Sequence, residues 1–95
     1  DVTLPTEFTL MQNYPNPFNA QTKIKFTIPP GANNNKVTLK LFNILGEEIK
    51  TLLNEELEAG FHEVDFNASN LASGVFIYRI EWDDKFKVKK MMMIK

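Results

Sequence analysis

Apolar and polar residues alternate with a period of two along most of this chain, and clusters of Pro, Gly and Asn cut the alternation into short runs. A first run over residues 7–12 leads into the turn-rich stretch 13–19. In the second, over 22–28, Ile24, Phe26 and Ile28 face one way and Lys23, Lys25 and Thr27 the other. Pro29, Pro30 and Gly31 stop it, and Asn33, Asn34 and Asn35 form a loop. A third run spans 36–45, with Val37, Leu39 and Leu41 set against Thr38 and Lys40. Phe42 follows Leu41 directly, which predicts a bulge or a strand passing from one packing face to another. Gly46 marks a tight turn into a run over 48–53.

Residues 54–60 read as a polar connection with room for one helical turn, ended by Gly60. Alternation resumes over 61–66, with Val64 and Phe66 inward and His62 in phase with them. The stretch 67–74 is a loop with Leu71 as its apolar anchor. Over 75–82, Phe76, Tyr78, Ile80 and Trp82 share one face. Asp83 and Asp84 make a hairpin tip, and a last run covers 86–94. Its alternation fails at Lys90 and Met91, which predicts a second bulge. About seven short strands at regular spacing, with no helix longer than a turn or two, predict an all-β sandwich or barrel. A seven-strand sandwich takes about 100 residues.

The chain has 95 residues, 43% of them hydrophobic and 24% charged, which is the composition of one globular domain rather than a disordered tail. Lys and Arg total 11 and Asp and Glu 12, for a net charge of −1, so the basic excess of a nucleic-acid binder is missing. Without cysteine there is no disulfide, thiolate metal site or cysteine nucleophile, and one histidine argues against a His-dependent triad. No apolar run is longer than the four residues of Met91 to Ile94, too short to span a membrane. A start at Asp1, with no charged-then-apolar leader, reads as a piece of a larger precursor.

Candidate chemistry is sparse. Glu47, Glu48, Glu55, Glu56, Glu58, Glu63 and Asp65 fall in one stretch, but on turns and outward strand positions, where a solvated face explains them better than a catalytic carboxylate pair. A two-residue tip at Asp83 and Asp84 does not wrap a calcium ion. His62 beside a strand start reads as structural, and Ser69 and Ser73 have no base near them in sequence. Asn67-Ala68-Ser69 matches a glycosylation triplet that arises often by chance. Tyr78 and Trp82 lie in phase with the core; were Trp82 instead at the rim beside Tyr14, a carbohydrate platform would remain open.

The most unusual segment is the last. Lys85, Lys87, Lys89, Lys90 and Lys95 interleave with Phe86, Val88 and the run Met91, Met92, Met93, Ile94. One reading is an edge strand whose lysines block edge-to-edge pairing. The other is an adaptable, sulfur-rich strip read by a partner.

Five motifs occur in order: Asn13-Tyr14-Pro15-Asn16-Pro17-Phe18-Asn19, then residues 37–46 ending Ile44-Leu45-Gly46, then Ala59-Gly60, then residues 71–80 with Ser73-Gly74-Val75-Phe76, and finally 89–95. Together they strongly resemble the type A C-terminal sorting domain of the type IX secretion system of Bacteroidetes and their relatives. The match runs from about Phe8 to Lys95. The family is also similar to the immunoglobulin-like domain of the flagellar hook-capping protein. Family members usually have a Gly-containing tip before the last strand, where this chain has Trp82-Asp83-Asp84-Lys85.

The resemblance implies an immunoglobulin-like antiparallel sandwich over 7–95, preceded by the end of an upstream linker at 1–6. It implies a non-catalytic sorting signal that needs no cofactor and carries an upstream cargo domain through the periplasm and outer membrane to the cell surface. The partners implied are the outer-membrane translocon, the shuttle and the sortase-like components. Partner recognition falls on Lys89, Lys90, Met91, Met92, Met93, Ile94 and Lys95. Tyr14, Pro15, Asn16, Pro17, Phe18, Gly46, Gly60, Ser73 and Gly74 are structural positions of the motif. Competing readings are a carbohydrate-binding module, which requires exposed aromatics at Tyr14, Tyr78 and Trp82, and a structural immunoglobulin-like domain appended to a secreted enzyme or built into a filament.

Overall fold

A computed structural model describes residues 3–32 and 34–94. They form seven strands: β1 (Thr9–Leu10), β2 (Gln21–Ile28), β3 (Lys36–Phe42), β4 (Glu48–Glu56), β5 (Gly60–Asn67), β6 (Gly74–Trp82) and β7 (Lys85–Met93). Two antiparallel sheets result, ordered β1-β2-β5 and β4-β3-β6-β7. The chain changes sheet between β2 and β3, between β4 and β5, and between β5 and β6. This is an all-β sandwich, one of the two architectures that the spacing of short strands leads one to expect, and it is immunoglobulin-like as the resemblance implies.

The alternation fixes what each sheet buries. Ile24, Phe26 and Ile28 of β2, Val37, Leu39 and Leu41 of β3, and Phe76, Tyr78, Ile80 and Trp82 of β6 meet in one core. Trp82 packs on Phe8, with ring centroids 5.2 Å apart, and so ties β6 to the segment entering β1. Phe18 and Phe66 meet at 6.3 Å at another point of the core. His62 faces inward in phase with Val64 and Phe66 and stacks on Phe26.

The expected bulge near Phe42 exists, but on the neighbouring strand. β3 pairs with β6 without interruption from Val37 opposite Trp82 to Phe42 opposite Ile77. Against β4 its register shifts twice, between Leu39 and Lys40 and between Leu41 and Phe42, leaving Leu52 and Ile49 as the extra residues. The expected bulge in the last strand is absent. β7 pairs with β6 residue for residue from Trp82–Lys85 to Gly74–Met93. The pattern misleads because lysines occupy inward-phase positions at the open end of the sandwich. There Lys85 Nζ lies over the Trp82 ring, 5.3 Å from its centroid, and Lys87 Nζ over the Phe8 ring at 5.9 Å, so each exposed lysine caps an aromatic side chain of the core.

β4 also runs through Asn54, Glu55 and Glu56, so the connection to β5 is only residues 57–59 and holds no helical turn. The tip at Asp83 and Asp84 has both residues at positive φ, +48° and +63°, the backbone of a type I′ hairpin, which Asp tolerates without glycine.

Candidate recognition site

β7 is an edge strand of the four-stranded sheet. Its odd-numbered residues point toward the core, where Met91 and Met93 are buried among the apolar side chains. Its even-numbered residues Phe86, Val88, Lys90 and Met92 point outward and are exposed, as is Ile94 just beyond. The strip from 89 to 94 is therefore split by the pleat. Lys90, Met92 and Ile94 are open to solvent, Lys89 is half-buried, and two of the three methionines are core residues. Lys95 lies outside the described residues.

In an antiparallel pair alternate residues turn their backbone groups away from the partner strand. On β7 these are the even-numbered residues, and the segment 12–18 takes up their groups. Met92 N–H donates to Asn16 Oδ1 at 2.9 Å. Phe18 N–H donates to the Met92 carbonyl at 3.0 Å, and Ile94 N–H donates to the Phe18 carbonyl at 2.9 Å, forming a short parallel bridge. Gln12 Nε2 donates to the Lys90 carbonyl. The C-terminal half of the free edge is thus closed, while the backbone of Phe86 and Val88 has no such partner among the described residues.

A buried polar network holds segment 12–18 in place. The Asn13 N–H donates to the Tyr78 hydroxyl at 2.8 Å, and that hydroxyl donates to the Met11 carbonyl at 2.7 Å. Burial pushes the Tyr78 phenol up to about 12, because the phenolate would lose its hydration; the bond from Asn13 opposes this only in part. Asn13 Nδ2 donates to the Pro15 carbonyl and to Thr22 Oγ1, and the Thr22 hydroxyl donates to the same carbonyl. Asn13 Oδ1 accepts Gln12 Nε2 at 2.8 Å, so both ends of the buried side-chain amide have a partner, which is the condition for burying it. Pro15 and Pro17 both follow cis peptide bonds, and Phe18 anchors the far end in the core. Tyr14 points outward.

Gln12 and Thr22 hold this segment in place although the sequence pattern did not single them out, and Asn13 was visible there only as the first residue of a motif. Alternation carries no sign of a buried side chain in a turn, and the Tyr78 hydroxyl reaches Asn13 and Met11 across 65 and 67 residues.

The other motif positions are turns. Asn43 Oδ1 accepts the N–H groups of Leu45 and Glu47, and Gly46 follows at φ +86°, a conformation that favours glycine. Gly74 begins β6, where added bulk would meet open space, whereas Gly60 begins β5 at φ +153°, a backbone that side chains rarely adopt, with His62 Nε2 3.8 Å from where a Cβ would sit. Ser73 lies exposed in the preceding loop. The acidic residues singled out above are all exposed. Lys23 pairs with Glu63 at 2.9 Å and Asp65 at 3.3 Å, and these bonds raise its pKa. Among the described residues no three His, Asp or Glu side chains converge as a metal site, and no helix is long and apolar enough to cross a membrane.

What fold and site define is an immunoglobulin-like domain whose final strand is displayed at a sheet edge and secured by a segment near its start. The family described as secretion system C-terminal sorting domain matches residues 12–95, from the first residue of that securing segment onward. The chain belongs to this family, the C-terminal sorting domains of the type IX secretion system. No curated protein matches the sequence.

Proposed function

We propose that this chain is the non-catalytic sorting domain of a larger secreted protein, directing an upstream cargo through the periplasm and across the outer membrane to the cell surface. Its partners in this reading are the type IX translocon, the shuttle and the sortase-like components. Residues 1–6 are the end of the linker from the cargo, and 7–95 the folded signal. The observation that carries the reading is the family match over 12–95, joined to a terminal strand whose Lys90, Met92 and Ile94 face solvent on a rigid sheet.

The carbohydrate-binding reading has less support. Tyr78 and Trp82 are 0% and 4% exposed, leaving Tyr14, at 81%, without the coplanar aromatic neighbours such a platform needs.

The test is export. Residues 1–95 are fused to an inert periplasmic reporter in a bacterium with the type IX machinery and compared with the reporter alone. Surface or medium reporter only in the fusion supports the proposal. Retention of a folded fusion in the periplasm refutes it.

A further inference from the structure

The outer face of the four-stranded sheet is half apolar, and each of its other cations has an acid beside it, Lys36 standing opposite Glu56 in register, while Lys90 has none among the described residues. Register places its side chains in rows across the sheet: Glu48, Phe42, Ile77 and Lys90 in one, and Thr51, Lys40, Arg79 and Val88 in the next. Val75 and Met92 lie opposite each other beside the first row. Lys40 pairs with Glu48 at 3.3 Å, and Arg79 pairs with Glu81 at 2.9 Å while stacking on the Phe86 ring at 4.3 Å. Lys90 has no acidic partner among the described residues. Its neighbours are Ile77 across the strand pair and Val88 and Met92 along its own strand.

Resting on the sorting reading above, we propose that this face, centred on Lys90, docks an apolar protein surface that presents a carboxylate to the Lys90 ammonium. Two alternatives within the strip are closed. Met91 and Met93 are buried, and the backbone edge from Lys90 to Ile94 is already bonded to Gln12, Asn16 and Phe18. What the strip still offers is its outward side chains. Covering Val88, Ile77 and Met92 strips water from Lys90, and a desolvated ammonium without an acceptor is costly, so the partner must supply one. A second copy packed on this face across a two-fold axis would set Lys90 against Lys90, which disfavours self-association there. An anionic lipid surface fits less well, because Glu48, Glu56 and Glu81 lie on the same face and repel it. One carboxylate opposite one free cation is the matching pattern, and it rejects partners that lack the acid.

The test uses the reporter fusion of residues 1–95 with Lys90→Glu, Lys90→Arg and, as a control of equal charge change, Lys25→Glu on the other sheet. Circular dichroism checks that each variant folds. Charge reversal at Lys90 is expected to lower export by about tenfold or more, while Lys90→Arg and Lys25→Glu stay near the parent. Export of Lys90→Glu at the parent level overturns the docking face and leaves the sorting reading intact. Failure of the parent itself to leave the periplasm is instead the failure of sorting. The purified chain is also sedimented alone and with phosphatidylglycerol vesicles. Self-association or vesicle binding that Lys90→Glu abolishes would overturn the protein partner in favour of a second copy or a lipid surface.

Discussion

The side-chain oxygen of Asn16 accepts the backbone N–H of Met92 across 76 residues of sequence, so the turn near the start of the domain terminates the free edge of its last strand. Asn16→Ala removes that acceptor and leaves the rest of segment 12–18 in place. We expect a stability loss of about 0.5–1.5 kcal/mol, the net worth of one such bond. The sharper sign is local: the Met92 amide should exchange with solvent much faster, while the amides joining β7 to β6 keep their protection. Uniform acceleration along the whole strand would mean that Asn16 holds the fold rather than the edge.

Tyr78→Phe deletes the hydroxyl that both Asn13 and Met11 use and strands a buried N–H and a part-buried carbonyl. The expected cost is about 1–3 kcal/mol by denaturant titration. The same hydroxyl gives an alkaline signature. Its folded-state pKa of about 12 lies above the ordinary 10.0, so the stabilisation is complete below 10.0 and drains away as pH rises toward 12. Unfolding free energy should therefore fall over that window, and Tyr78→Phe should remove part of the fall. Lys23 titrates in the same sense, so the comparison is between parent and variant rather than with a flat line.

Asp84 holds φ at +63° in the tip between β6 and β7, a conformation that costs a side chain and costs glycine nothing. Asp84→Gly should raise stability by a few tenths to about 1 kcal/mol, since Asp-Gly is a preferred type I′ pair. A lower melting temperature would show that the Asp84 side chain contributes more than its backbone strain takes away.

Phe18 and Tyr14 are four residues apart and should respond in opposite ways. Phe18 is buried against Phe66, and Phe18→Ala should cost about 3–5 kcal/mol. Tyr14→Ala, at an exposed ring, should stay within about 0.5 kcal/mol. Thermal melts of the two variants check both.

The strands were legible because a sandwich that is dry inside and wet outside writes its pleat into β2, β3 and β6 one residue at a time. Legibility failed where that rule weakens. Residues 54–56 look like a loop because an edge strand exposed on both faces needs no apolar member. The bulge signalled by Leu41 and Phe42 lies on β4, since one sequence run cannot say which partner carries the extra residue. The lysines of β7 hid a regular strand, because lysines over aromatic rings can cap the open end of a core. At the candidate site, the final strip was visible as composition, but its division into buried Met91 and Met93 and exposed Lys90, Met92 and Ile94 follows from register with β6. The bonds from Gln12, Asn16 and Phe18 to β7 join residues 74 or more apart, and local periodicity holds no record of them.

The hydrogen bond from Ile94 N–H to the Phe18 carbonyl has a temporal consequence. During synthesis, Phe18 is made long before the strand that completes its surroundings, and Met91 and Met93 join the core only once β7 has been made. Contacts of such long range close slowly. Folding therefore finishes at the C-terminal end, and a chain interrupted before β7 keeps an unfinished sheet and an uncovered core.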